Sequence, residues 1–292
     1  NTSHTNQRYL AGQVLPTTLR ATTDLDEAFA FSQTYVLAIP STQLRATLNE
    51  WKGRFSSDCT IVSTLKGIEV STMLRMTEII EEVLGKHKVA LLTGPNLADE
   101  LILRQPAGAV AASTSQEVAD HVRQLFRTPY YRVYTSVDLL GCELAGAIKN
   151  VIALAVGISI GMGYGENTQA MLITRGLNEV ARLCAAHGSD PLSAAGLAGM
   201  GDLVATCGSL SRNRTFGELL GKTGSMEMAI AQGAKTVEGV ASSGAIVEIA
   251  HRVGVEVPVI EAVADIVNGS LNPEQALARL MEITTQAENF IR

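Results

Sequence analysis

GAIKNVIALAVGISIGMG, Gly146–Gly163, is apolar or small at every position except Lys149, Asn150 and Ser159. A cation inside such a run means different things in a membrane span, a secreted protein and an enzyme core. The uninterrupted apolar part, Val151–Gly163, is shorter than the ~20 residues that cross a bilayer. NTSHTNQRYL at the N-terminus carries no hydrophobic leader. With 292 residues, 46% of them hydrophobic, the expectation is a soluble, cytoplasmic protein with material for two domains of ordinary size.

Upstream of this run the chain alternates between two periodicities. Thr34–Ile39, Cys59–Thr64, Lys88–Thr93, Gly108–Ser113 and Tyr131–Thr135 are short, apolar or β-branched runs of the buried-strand kind. Helical patterns lie between several of them: Thr42–Trp51, Thr72–Leu84 with Gly85 at its C-cap, and Ser115–Phe126 opened by a serine cap. This spacing predicts right-handed crossovers and a largely parallel sheet covered on both faces. The first strand is expected only at residue 34, after a polar loop and a turn near Leu10–Pro16. From Asp138 onward the signals are helical, as in Thr168–His187, Ser242–Val253 and Pro258–Val267. Two domains are expected, 1–137 an α/β domain with a mostly parallel, Rossmann-like sheet and 138–292 an all-α domain.

Composition narrows the chemistry. Cys59, Cys142, Cys184 and Cys207 form no Cys-x-x-Cys pair, and the five histidines show no metal-ligand spacing, so a reducing compartment and no structural metal are expected. A net charge of −6 without long charge runs argues against a nucleic-acid surface. Anionic ligands would bind at local sites. No Gly-x-Gly-x-x-Gly follows a strand. Gly161, Gly163 and Gly165 have the wrong spacing for one, and read as a close helix contact followed by a turn.

Ligands of open α/β sheets lie beyond the carboxyl ends of the strands. There the sequence places Pro40 and Ser41, then Lys66 and Gly67, then Gly94, Pro95 and Asn96. A glycine permits close backbone approach, and a following helix presents free N–H groups to an anion. In Ala198–Gly217, Asp202 follows a glycine pair, and Ser211, Arg212, Asn213 and Arg214 stand together. An arginine fork beside hydroxyl and amide donors suits a phosphate monoester; a helix N-terminus with surface arginines gives the same pattern. Glu238 and Gly239 precede a further helix. For Lys149, spacing alone leaves a stem that snorkels to water beside a desolvated catalytic cation.

The chain resembles bacterial NAD(P)-dependent glycerol-3-phosphate dehydrogenases along its whole length. The signature helix is matched by Gly146, Ala147, Ile148, Lys149, Asn150, Val151, Ile152, Ala153 and Gly157, followed by Gly165 and Asn167. Further landmarks are Lys66–Glu69, Gly94–Ala98, Gly201–Leu203, Ser211–Arg214 and Val237–Gly239. Ile160 stands where the family usually has an acidic residue, and Asn96 where serine or threonine is commoner.

The resemblance implies interconversion of sn-glycerol 3-phosphate and dihydroxyacetone phosphate, supplying glycerophospholipid synthesis, with NAD or NADP as cofactor. It implies Lys149 as the proton donor or acceptor, with Asp202 and Thr206 holding substrate or lysine. Ser211, Arg212 and Asn213 would bind the phosphate, and Lys66, Gly94 and Asn96 the substrate side. Lys66, Ala98, Arg212, Thr236 and Glu238 would lie toward the nucleotide. The family's first strand, glycine loop, first helix and second strand fall upstream of Asn1, so the residues that grip the pyrophosphate cannot be named. A homodimer is the assembly to test, and no nucleic-acid or membrane partner is implied. The alternatives are a ketopantoate-type reductase acting on a carboxylate substrate, and a non-catalytic subunit retaining only a phosphate pocket.

Overall fold

The computed structural model describes residues 1–232 and 237–282. A hairpin comes first: β1 (Thr5–Asn6) pairs antiparallel with β2 (Leu10–Val14), where only a loop and turn were expected. LAGQV, with a central glycine and one glutamine, lacks the alternation that would announce a strand. Helix α1 (Leu25–Phe31), capped by the Asp24 carboxylate, leads into the main sheet.

All five expected strands form: β3 (Thr34–Leu37), β4 (Thr60–Ser63), β5 (Lys88–Thr93), β6 (Ala107–Ala112) and β7 (Tyr131–Ser136), side by side in that order. Helices α2 (Leu44–Trp51) and α3 (Met76–Leu84) make the crossovers, and β3, β4 and β5 run parallel. Leu44, Leu48, Ile79 and Ile80 seal one face against Leu37 and Ile61. Helix α3 starts at Met76 rather than Thr72, because Arg75 takes the N-cap and the Glu78 carboxylate accepts from its N–H.

The sheet is mostly parallel with one reversal. β6 runs antiparallel to β5 and parallel to β7. The intervening helix α4 (Ala98–Ile102) has five residues and spans about 7.5 Å, whereas a six-residue strand spans about 20 Å, so it cannot carry the chain back for a parallel entry. Helix α5 (Gln116–Phe126), capped by Ser115, is long enough to do so before β7.

Beyond Asp138 the described residues are helical: α6 (Leu139–Gly161), α7 (Glu166–Ala186), α8 (Asp202–Thr206), α9 (Arg212–Thr223), α10 (Met226–Ala231), α11 (Glu238–Arg252), α12 (Pro258–Asn268) and α13 (Pro273–Glu282). At 23 residues α6 is longer than its unbroken apolar run, and by length and composition it could cross a membrane. Instead, 89% of its most apolar stretch is buried inside the protein, which explains why it is apolar all round. Its closest neighbour is α9. Gly157 and Gly161 face Gly217 and Gly221, and a Cβ on any of the four would strike the opposite backbone. The glycine cluster is thus a helix contact at Gly161, a turn at Gly163 and the N-cap of α7 at Gly165. Ile160 packs half-buried against the same core.

Helix α6 also runs along the sheet. Leu139 and Cys142 pack with Leu91 inside β5, and Gly146 meets Thr93 at that strand's last residue. Lys149 comes three residues later, about 4.5 Å further along the axis, and is carried past the carboxyl edge.

Candidate active site

At that edge Lys149 is 6% exposed. Its Nζ donates to Asp202 Oδ1 at 2.6 Å and to Thr206 Oγ1 at 2.6 Å. Asp202 and Thr206 lie four residues apart on α8 and therefore share a face, and the Thr206 hydroxyl donates to the Asp202 carbonyl. Lys66, just beyond β4, closes the group from the sheet side: its Nζ is 2.5 Å from Asp202 Oδ2 and donates to the Gly94 carbonyl at 3.2 Å. Two ammonium groups thus share one buried carboxylate. Burial pushes the Lys149 ammonium down to about 8, Lys66 pushes the same way, and Asp202 opposes them. The lysine's stem does not snorkel to water.

A second group lies further along α6. Ser211 caps α9 by accepting from the Arg214 N–H. Asn213 is buried and donates from Nδ2 to Asn150 Oδ1 at 3.1 Å, while its Oδ1 accepts from the Gly239 N–H at 2.9 Å. Asn150 donates from Nδ2 to Glu238 Oε2 at 3.0 Å. Glu238 Oε1 lies 3.8 Å from Arg212 Nη2, and that arginine side chain is 85% exposed. The first turns of α9 and α11 therefore converge beside Lys149, with an open guanidinium at the rim. Asn150 was visible within the motif but was not expected in the site. Its partners lie 63 and 88 residues away, so no local pattern announced them.

The remaining expected residues stand apart. The Asn96 amide oxygen accepts from the Tyr131 hydroxyl at 2.8 Å, so this side chain turns towards β7 rather than the lysines. Ala98 opens α4 and is exposed. Thr236 lies outside the described residues. Two glycines at the carboxyl edge are required by backbone angle and close packing. Gly94 has φ 133°, and a Cβ there would press on Ala109 Cα at 3.1 Å; Gly67 has φ 138° beside the Ser41 hydroxyl. Only glycine adopts these angles freely; both lie at the carboxyl edge of the sheet, the side on which ligands of open α/β sheets bind.

The carboxyl edge of a mostly parallel sheet thus faces a helical half, with a desolvated lysine between them. Two family models match the chain: the N-terminus of NAD-dependent glycerol-3-phosphate dehydrogenase over residues 1–119, and its C-terminus over 138–278. The chain is 49% identical to the glycerol-3-phosphate dehydrogenase [NAD(P)+] of Thermobifida fusca, across 99% of its own length and 87% of that protein's. It is 48% identical to the enzyme of the same name from Corynebacterium glutamicum, across 98% and 87%. Among solved structures, the glycerol-3-phosphate dehydrogenase of Coxiella burnetii superposes with a TM-score of 0.89 at 32% identity, across 96% of this chain and 86% of that one. A ketopantoate reductase from Ralstonia eutropha shares the fold, with a TM-score of 0.53 at 15% identity, across 86% and 79%. The chain belongs to the NAD-dependent glycerol-3-phosphate dehydrogenase family.

Proposed function

We propose that the protein interconverts dihydroxyacetone phosphate and sn-glycerol 3-phosphate with NAD(P)H and NAD(P)⁺, in a cytosolic supply of glycerol 3-phosphate to glycerophospholipid synthesis. The observation that carries this reading is the shared carboxylate: Lys149 and Lys66 meet on Asp202, leaving one net positive charge beside the reacting position. When bound, the nicotinamide supplies or accepts the hydride at C2. During reduction the Lys149 ammonium gives a proton to the oxygen on C2 as the C=O bond becomes CH–OH, and the neutral amine is reprotonated from solvent. Asp202 and Thr206 hold Nζ in place, and the second cation stabilises the developing alkoxide.

Ser211, Arg212 and Asn213 hold the phosphate, where charge and directed N–H donors coincide. Lys66, Gly94 and the backbone at Asn96 line the opposite end. Lys66, Ala98, Arg212 and Glu238 lie on the nucleotide side. Residues 1–137 act as the nucleotide-binding unit and 138–292 as the substrate unit. A homodimer belongs to the same reading, and sedimentation tests it. The deciding assay follows NADH and NADPH oxidation with dihydroxyacetone phosphate and, separately, with ketopantoate. Turnover of dihydroxyacetone phosphate to sn-glycerol 3-phosphate is expected; turnover of ketopantoate alone would overturn the proposal.

A further inference from the structure

Thr93, the last residue of β5, is fully buried, and its hydroxyl finds no hydrogen-bond partner among the described residues. Buried hydroxyls are nearly always paired, because an unpaired one forfeits its bonds to water. This one stands at the carboxyl end of its strand, under α6. A Cβ placed on Gly146 would lie 3.3 Å from Thr93 Oγ1 and 3.8 Å from Lys66 Cγ, so the hydroxyl faces α6 beside the Lys66 stem. Thr93 directly precedes Gly94, whose carbonyl receives Lys66.

The partners of α6 are arranged along its axis. Thr93 and Lys66 meet it at Gly146, Asp202 and Thr206 at Lys149, and Asn213 and Glu238 at Asn150. Gly146 and Lys149 are about 4.5 Å apart along the axis and Lys149 and Asn150 about 1.5 Å, so the helix fixes the order of these groups and side-chain reach sets their spacing. With the phosphate at the Asn213 end and C2 at Lys149, the remaining carbon with its free hydroxyl falls at the Thr93 end.

We infer that Thr93 is a specificity-determining residue whose hydroxyl hydrogen-bonds the terminal CH₂OH of the substrate, reached alongside the Lys66 stem. The inference rests on the assignment of dihydroxyacetone phosphate as substrate. It explains why the site holds a hydroxyl where a valine of the same shape would satisfy the core better. A site with a buried polar group of this kind rejects an analogue that lacks the matching hydroxyl.

The test is a cycle of two enzymes and two substrates: wild type and Thr93→Val, each with dihydroxyacetone phosphate and with acetol phosphate, in which the terminal CH₂OH is CH₃. Thr93→Val should lower kcat/KM for dihydroxyacetone phosphate about 10-fold to 100-fold and leave that for acetol phosphate nearly unchanged. Thr93→Ser, which keeps the hydroxyl, should restore most of the loss. The melting temperature of Thr93→Val should equal or exceed that of wild type, because an unpaired polar group has been removed. Thr93→Ala supplies the hydroxyl-free enzyme if the valine methyl crowds Gly146. Equal losses on both substrates, or no loss on either, would overturn the inference. Absence of wild-type turnover of dihydroxyacetone phosphate would instead overturn the functional assignment beneath it.

Discussion

Helix α6 buries two charged side chains less than two turns apart, and they are completed in opposite ways. Glu143 is closed off. Its Oε1 accepts from the Thr77 N–H at 2.8 Å, and its Oε2 from the Thr77 hydroxyl and from Arg75 Nη1, each at 2.6 Å. Burial pushes its carboxyl up, and Arg75 and Thr77 oppose that. Glu179 on α7 is completed in the same manner, both oxygens being taken by the first N–H groups of α12 at Val259 and Ile260. Lys149 is left incomplete: the one carboxylate it meets among the described residues, Asp202, is shared with Lys66. Burial of a charge therefore does not by itself mark a reaction centre. In the proposed mechanism the distinguishing feature is surplus charge at the sheet edge, whereas the fully bonded carboxyl groups pin helices together.

That contrast can be broken by substitution. The largest effect is expected at Lys149. Lys149→Met keeps the apolar stem and leaves Asp202 paired with Lys66, so folding should persist with an unchanged or slightly higher melting temperature. Turnover should fall ~10²-fold to 10⁴-fold, the range for loss of a general acid; near wild-type kcat in a folded variant would remove the lysine from the chemistry. Glu143→Ala should show the reverse pattern. It orphans the Thr77 N–H and leaves Arg75 with Glu78, so chemical denaturation should report a loss of about 2 to 4 kcal/mol while kcat of the folded enzyme changes little. A collapse of kcat at unchanged stability would place Glu143 in the reaction.

The smallest effect belongs to the rim. Because the Arg212 side chain is 85% exposed, water competes for its contacts, and Arg212→Ala should raise KM for dihydroxyacetone phosphate only about tenfold, at the weak end for a charge-assisted bond. Arg212→Lys should recover part of this, since charge is kept and the fork is lost. Unchanged steady-state kinetics in both variants would move the phosphate elsewhere.

Much of the fold was legible because strand periodicity survives burial. Lys88–Thr93 is a strand with the predicted bounds, and the other four of the main sheet shift by two residues or fewer at either end. Strand direction was not legible: Gly108–Ser113 reads the same in either sense, and only the shortness of α4 reverses it. The β1–β2 hairpin gave no alternation to read. Lys149, Asp202 and Thr206 were named through the family motif and come together in space, as do Arg212, Asn213 and Glu238. Asn150, Glu143 and Thr93 were not singled out for function, because each is defined by contacts many residues distant. Asn96 was expected at the substrate, but Tyr131 engages its side chain, a pairing that sequence position does not reveal.

The central claim, that Lys149 exchanges the proton, is tested most directly by the pH dependence of kcat/KM in both directions. Lys66, Asp202 and Cys207 are the titratable neighbours linked to Lys149, and burial pushes the Cys207 thiol up to about 12, clear of the relevant range. Burial, with Lys66 beside it, pushes the Lys149 ammonium down to about 8. Reduction needs the protonated form, so kcat/KM for dihydroxyacetone phosphate should be level below about 8 and fall above it. Oxidation of glycerol 3-phosphate needs the neutral amine, so its kcat/KM should rise through the same value and then level. Mirror-image limbs crossing near 8 are predicted; profiles that stay flat through that region in both directions would contradict the account.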